Sequence, residues 1–166
     1  IPETLTGTVV EEIKNNTALE DYAPTNLPAG AELEIELKSV DGKFVFDVTP
    51  MANGAEVEPT EAITFRLPVP ASVTEIAAKV YHEDDLMGIY EIKGDGNAKY
   101  VEISSADFSE FAIEPITHYE VATYQALIDA LANDGAYVKM TANINATATQ
   151  SSGYGKAGIV LDAGDV

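Results

Sequence analysis

The sequence has no cysteine, no tryptophan and only two histidines, and it sets nine basic residues against 28 acidic ones. The missing thiols exclude disulfides, thiolate metal sites and cysteine nucleophiles. The shortage of bases leaves a formal charge of −19 at pH 7. Such a surface repels phosphate backbones and anionic headgroups, so nucleic acid is not an expected partner. The first use of that acidity is solubility, and the second is attraction of a cation or a basic partner. No run reaches the ~18 apolar residues that span a bilayer, so no membrane insertion is expected. The chain opens at Ile1, and no basic stretch precedes an apolar one. That start is expected of a chain whose export leader has been left off.

What is present is globular. The 166 residues are 46% apolar and 22% charged, enough to build a core and too apolar for a disordered chain. The length suits one domain, or one domain with a fragment of another.

Strict alternation is clearest over Ala31–Lys38, where Leu33, Ile35 and Leu37 oppose Glu32, Glu34, Glu36 and Lys38. This predicts a strand with one wet face. Asp41-Gly42 is a hairpin signal, and Lys43–Val48 returns with Phe44, Phe46 and Val48 inward. Further strands are expected at Ala62–Leu67, bracketed by Pro68 and Pro70, and at Ile76–His82. Gly88–Lys93 and Lys99–Ile103 flank Gly94-Asp95-Gly96-Asn97, which reads as a second hairpin turn. Phe108–Ile113 supplies the last strand, Leu5–Val10 an additional one, and Asn16–Tyr22 a helical turn or loop. Short strands with turn signals every ~8–12 residues predict a mainly β fold, an antiparallel sandwich over residues 1–117.

The period changes in residues 118–166. Thr123 is placed to cap a helix whose apolar positions are Tyr124, Leu127, Ile128 and Leu131, ended by Asn133-Asp134-Gly135. A strand follows at Tyr137–Thr141, burying Val138 and Met140. After the Ser151–Gly155 loop, Gly158–Leu161 begins another. One helix and two strands enclose no core of their own, so this piece either packs against the sandwich or has its partner beyond Val166, and the second is the expectation.

Two stretches carry a resemblance. Ala62–Pro70, Ala78–His82 and Ala106–Ile113 together resemble an immunoglobulin-like module of large cell-surface proteins from Gram-positive and gut bacteria. Asp107 stands where relatives often carry His, so no role of that histidine carries over. Tyr119–Leu131 with Val138–Ile144 resembles the entry to a right-handed parallel β-helix, whose short helix caps the first coil. Gly158–Asp162 would open the next coil. The resemblance implies an exported, extracellular fragment that holds the cap but not the solenoid beyond it.

Candidate chemistry is sparse. His82-Glu83-Asp84-Asp85 gathers hard oxygen ligands that calcium would accept if Asp95 converged on them, but a solvated hairpin explains it better. His82 and His118 fall on different elements, so a two-histidine metal site would be a tertiary accident. Ser104, Ser105 and Ser109 lie near a strand end, with no Gly-x-Ser-x-Gly elbow, and read as turn formers. Gly153–Lys156 lacks the remainder of a phosphate loop. Tyr81, Tyr90 and Tyr100 fall on neighbouring expected strands and would make a sugar-stacking platform if they shared a face; packing is the plainer reading. Asn15–Thr17 and Asn145–Thr147 match a glycosylation pattern that a bacterial source would leave inert.

No catalytic, cofactor or metal residue is assigned on these grounds. The expectation is a non-catalytic spacer or interaction module of a bacterial cell-surface protein, a monomer whose partner is a glycan or a protein. A carbohydrate-binding module serving a glycan-active or adhesive protein is the alternative.

Overall fold

A computed structural model of the chain describes residues 6–133 and 137–144. It is mainly β with antiparallel sheets, and divides into two compact units, Ile1–Pro115 and Ile116–Val166.

The first unit starts with a helix, α1 (Thr8–Lys14), where the sequence reading placed a strand over Leu5–Val10. Of that range, Leu5 lies outside the described residues. The helix is favoured because Val10 and Ile13, three apart, both enter the core, and Lys14 reaches back to Glu11 at 2.9 Å. The Asn16–Tyr22 stretch is a loop with turns.

Strands β1 (Ala31–Val40) and β2 (Phe44–Ala52) form the expected antiparallel hairpin. A short β3 (Ala55–Glu56) folds back on the end of β2. The others are β4 (Ile63–Pro68), β5 (Ala77–His82), β6 (Asp85–Glu91), β7 (Tyr100–Ser105) and β8 (Glu110–Pro115). One sheet runs β1-β2-β8-β5-β6, with β3 on β2; the other is the pair β4-β7.

Gly94–Asn97 is therefore not the hairpin turn expected of it. It carries the chain from β6 in one sheet to β7 in the other, with a single 3-10 turn at Gly96–Ala98. The physical reason is that Ile63, Phe65 and Leu67 of β4 pair with Ser105, Ile103 and Val101 of β7, and that alternate apolar ladder captures β7. Only the isolated Lys93–Tyr100 bridge marks the crossing. Phe108, expected inside the last strand, packs on the core from just before β8.

Buried side chains from both sheets belong to one cluster, an arrangement consistent with a β-sandwich. Leu37, Phe46, Val80, Phe111 and Ile113 come from the larger sheet; Ile63, Phe65, Leu67, Val101 and Ile103 come from the pair. The Phe65 ring meets Phe111 edge-on at 5.3 Å and Phe108 at 5.8 Å, joining the sheets through aromatic contact.

The second unit contains β9 (His118–Val121), α2 (Tyr124–Leu131) and β10 (Tyr137–Met140). Strand β10 pairs with β9 in parallel, so this is a strand-helix-strand crossover. The Thr123 hydroxyl accepts the Ala126 amide at 3.2 Å, the cap its position predicts. The helix buries Tyr124 and Ala130 most deeply. Met140, expected inside, is 64% exposed, and Val138 is half-buried. Both lie on the same face of a ladder that has two strands among the described residues, too narrow to shelter that face along its length. The Ser151–Gly155 loop and the Gly158–Leu161 strand lie outside the described residues.

Candidate functional site: an apolar groove beside an edge strand

Among the described residues, strand β1 pairs with β2 on one side only. Across from it, the segment that precedes β1 passes β4 and is fastened by reciprocal backbone bonds between Thr25 and Thr64, at 3.0 and 3.3 Å. Between these two borders lies a groove of about 380 Å³. Its walls are Leu33 and Ile35 of β1, Phe65 of β4, and Leu19, Pro24 and Leu27 of the passing segment. The size lies in the lower part of the ~300–1,000 Å³ range of ligand clefts.

Two charged side chains line the groove, Glu32 and Arg66. Arg66 is held in a stack: its guanidinium lies 4.0 Å from the Tyr22 ring centre and 4.1 Å from that of Tyr100. Its Nε pairs with Glu102 at 3.4 Å, and Nη1 donates to the Ala18 carbonyl at 3.4 Å. Tyr22 donates its hydroxyl to the Thr64 carbonyl at 3.1 Å. Burial, with the Glu102 charge behind it, raises the Tyr22 pKa. The hydrogen bond from Lys93, at 3.1 Å, lowers that of Glu102, and the Lys93 and Arg66 charges add to it. Arg66 is thus a fixed part of the wall.

Glu34 lies on the face of β1 opposite Leu33 and Ile35, and Glu32 stands at the groove's rim; both are exposed and make no ion pair among the described residues. Further along, Lys38 pairs with Glu36 at 2.8 Å and Asp47 at 3.2 Å.

The residues singled out in the sequence fall elsewhere. Glu83 and Asp84 form the two-residue turn between β5 and β6, and Asp85 starts β6; all three are exposed. Among the described residues, no three His, Asp or Glu side chains gather closely enough to hold a metal ion. Asp95 stands at the N-cap position of the 3-10 turn on the crossing between sheets, where its carbonyl, not its carboxylate, accepts the Ala98 amide.

The structure does bring His82 and Ser109 together. Ser109 Oγ lies 2.9 Å from His82 Nε2, and the hydroxyl donates to Glu83 Oε1 at 3.2 Å. A hydroxyl has one proton; given to Glu83, it leaves the imidazole to donate, the reverse of what a general base does. The His82 ring stacks on Phe111 at 4.6 Å, which fixes it as cover for the core. His118 lies on β9 in the second unit. Ser105 closes a local turn on Asp107, and Ser104 faces Thr64 across the β4-β7 ladder at 3.4 Å.

The three tyrosines do not share a face. Tyr81 donates to Glu114 at 2.9 Å under the Lys43 ammonium, which lies 3.8 Å from its ring centre. Tyr90 packs on the core, and Tyr100 belongs to the other sheet beneath Arg66. Lys156 and Asn145–Thr147 lie outside the described residues.

Sequence reasoning missed the groove because it depends on where the Leu19–Leu27 segment runs, and loops carry no periodic signal. The available clue was Leu19, Leu27 and Pro24 in a stretch with no strand pattern of its own. In comparisons with protein families, curated proteins and solved structures, nothing matches this chain.

Proposed function

We propose that the chain is a non-catalytic interaction and spacer module of an exported bacterial cell-surface protein. On this reading the first unit is an immunoglobulin-like sandwich and the second is the entry to a parallel β-helix. The observation that carries the proposal is the groove itself. It is apolar, it borders an edge strand, and its one cation is engaged by Tyr22, Tyr100 and Glu102. Such a wall suits holding a ligand, and apart from the exposed Glu32 carboxylate at its rim its charged and phenolic groups, Arg66 and Tyr22, are already engaged.

The parallel β9-β10 ladder with α2 between supports the second half of the reading, because parallel coils need that pairing. A net charge of −19 supports display in water and selection of basic partners. A tyrosine platform for sugars has no support in the separate faces of Tyr81, Tyr90 and Tyr100.

The test is presentation. An antibody raised against the chain should label intact, unpermeabilised cells of the organism that makes it. Labelling only after permeabilisation would refute export and with it the proposed role.

A further inference from the structure

The edge of β1 and the groove beside it have complementary demands. An extended segment laid along β1 would use the backbone groups that β2 leaves free. Its alternate side chains would then point to opposite faces. One set would enter the groove against Leu33, Ile35, Leu27 and Phe65. The other set would lie on the face of β1 that carries Glu34, close to Glu32 at the groove's rim; both carboxylates are exposed. Apolar residues satisfy the first set and lysine or arginine the second.

Building on the interaction-module reading, we propose that β1 is a strand-addition site for an extended segment of a partner protein in which apolar residues alternate with basic ones. A second copy of this chain does not fit. Two β1 strands paired edge to edge would bring glutamate rows together, and like charges opposite one another destabilise a ladder. Each copy would also bring a charge of −19. The other edge of the sheet, β6, is a weaker candidate. It exposes Leu86 at 54% and Ile89 at 37%, but Asp85 and Glu91 stand only at its ends, so it lacks the row of carboxylates that β1 offers a basic segment.

The experiment titrates the isotopically labelled chain with a capped synthetic peptide of alternating lysine and valine, following backbone amide resonances. The proposal expects shifts concentrated on Ala31–Val40, Leu27 and Phe65. The double variant Glu32→Gln, Glu34→Gln should weaken binding about tenfold; both positions are exposed, so the fold tolerates it. A peptide N-methylated on alternate amides cannot complete the ladder and should also lose about tenfold or more. Variants Leu86→Ser and Ile89→Ser should bind as the parent does.

Four results would overturn the proposal: no saturable shift, shifts centred on Asp85–Glu91, equal binding of the N-methylated peptide, or concentration-dependent broadening along β1 without peptide. Failure here with labelling of intact cells preserved would remove the docking site and leave the surface-module reading standing. Binding by a chain found only inside cells would do the opposite.

Discussion

Replacing Arg66 by alanine should destabilise the first unit by about 1.5–3 kcal/mol, out of proportion to a residue on the outer side of a two-stranded sheet. Two ring contacts, at 4.0 and 4.1 Å, contribute roughly 0.5–1 kcal/mol each for a partly exposed cation. The Glu102 pair at 3.4 Å adds about 0–1 kcal/mol. The stem that covers the rings adds some packing. For a unit of this size, 1 kcal/mol corresponds to about 4 °C in melting temperature, so the expected fall is roughly 6–12 °C. Arg66→Lys keeps the charge near Glu102 but loses the flat stack, and should recover less than half of the deficit. Thermal unfolding by circular dichroism, with urea titration to confirm two-state behaviour, reads both variants. A loss under about 0.5 kcal/mol for Arg66→Ala, or full rescue by lysine, would refute the claim that stacking fixes this wall of the groove.

Further expectations concern the turns, charges and caps. Gly94→Ala should cost more than about 2 kcal/mol in urea unfolding. Its φ is +76°, and an added Cβ would lie 2.1 Å from the Ala98 carbonyl oxygen. Glu102→Gln should show its largest stability deficit near pH 7. The folded-state pKa of Glu102 is depressed, chiefly by the Lys93 hydrogen bond, so its contribution is present above the ordinary value of 4.5 and fades as pH falls below it. A deficit that grows on acidification contradicts this sign. Thr123→Ala should weaken α2 by about 0.5–2 kcal/mol, seen as faster amide exchange at Ala126 and Leu127.

What the sequence shows well is whatever its periodicity determines. Leu33, Ile35 and Leu37 against Glu32 and Glu34 specify β1, and Asp41-Gly42 specifies its turn. Thr123 with Tyr124, Leu127 and Leu131 specifies α2. Pairing partners are less legible. The Gly94–Asn97 stretch has the composition of a hairpin turn, yet β7 joins β4 because burying Val101 and Ile103 opposite Leu67 and Phe65 outweighs nearness in sequence. Short elements also escape. Asn53-Gly54 is a strong hairpin signal, with φ of 53° and 78°, but β3 beyond it is only two residues long. At the amino terminus, Leu5, Gly7 and Val9 alternate like a strand, whereas Val10 and Ile13 answer to a helix, and the core selects the second pattern. The groove was least visible of all, since three of its walls come from separate stretches of chain.

The account depends on β4-β7 and the larger sheet closing over a single apolar core, which leaves the edge groove and outer surface to act. Residue-resolved amide exchange in the native state tests this most directly. The most protected amides of β2 and β8 and those of β4 and β7 should open with one common free energy and one denaturant slope. If β4 and β7 opened separately, several kcal/mol below β2 and β8, the two sheets would not share a core and the groove between their borders would lose its walls.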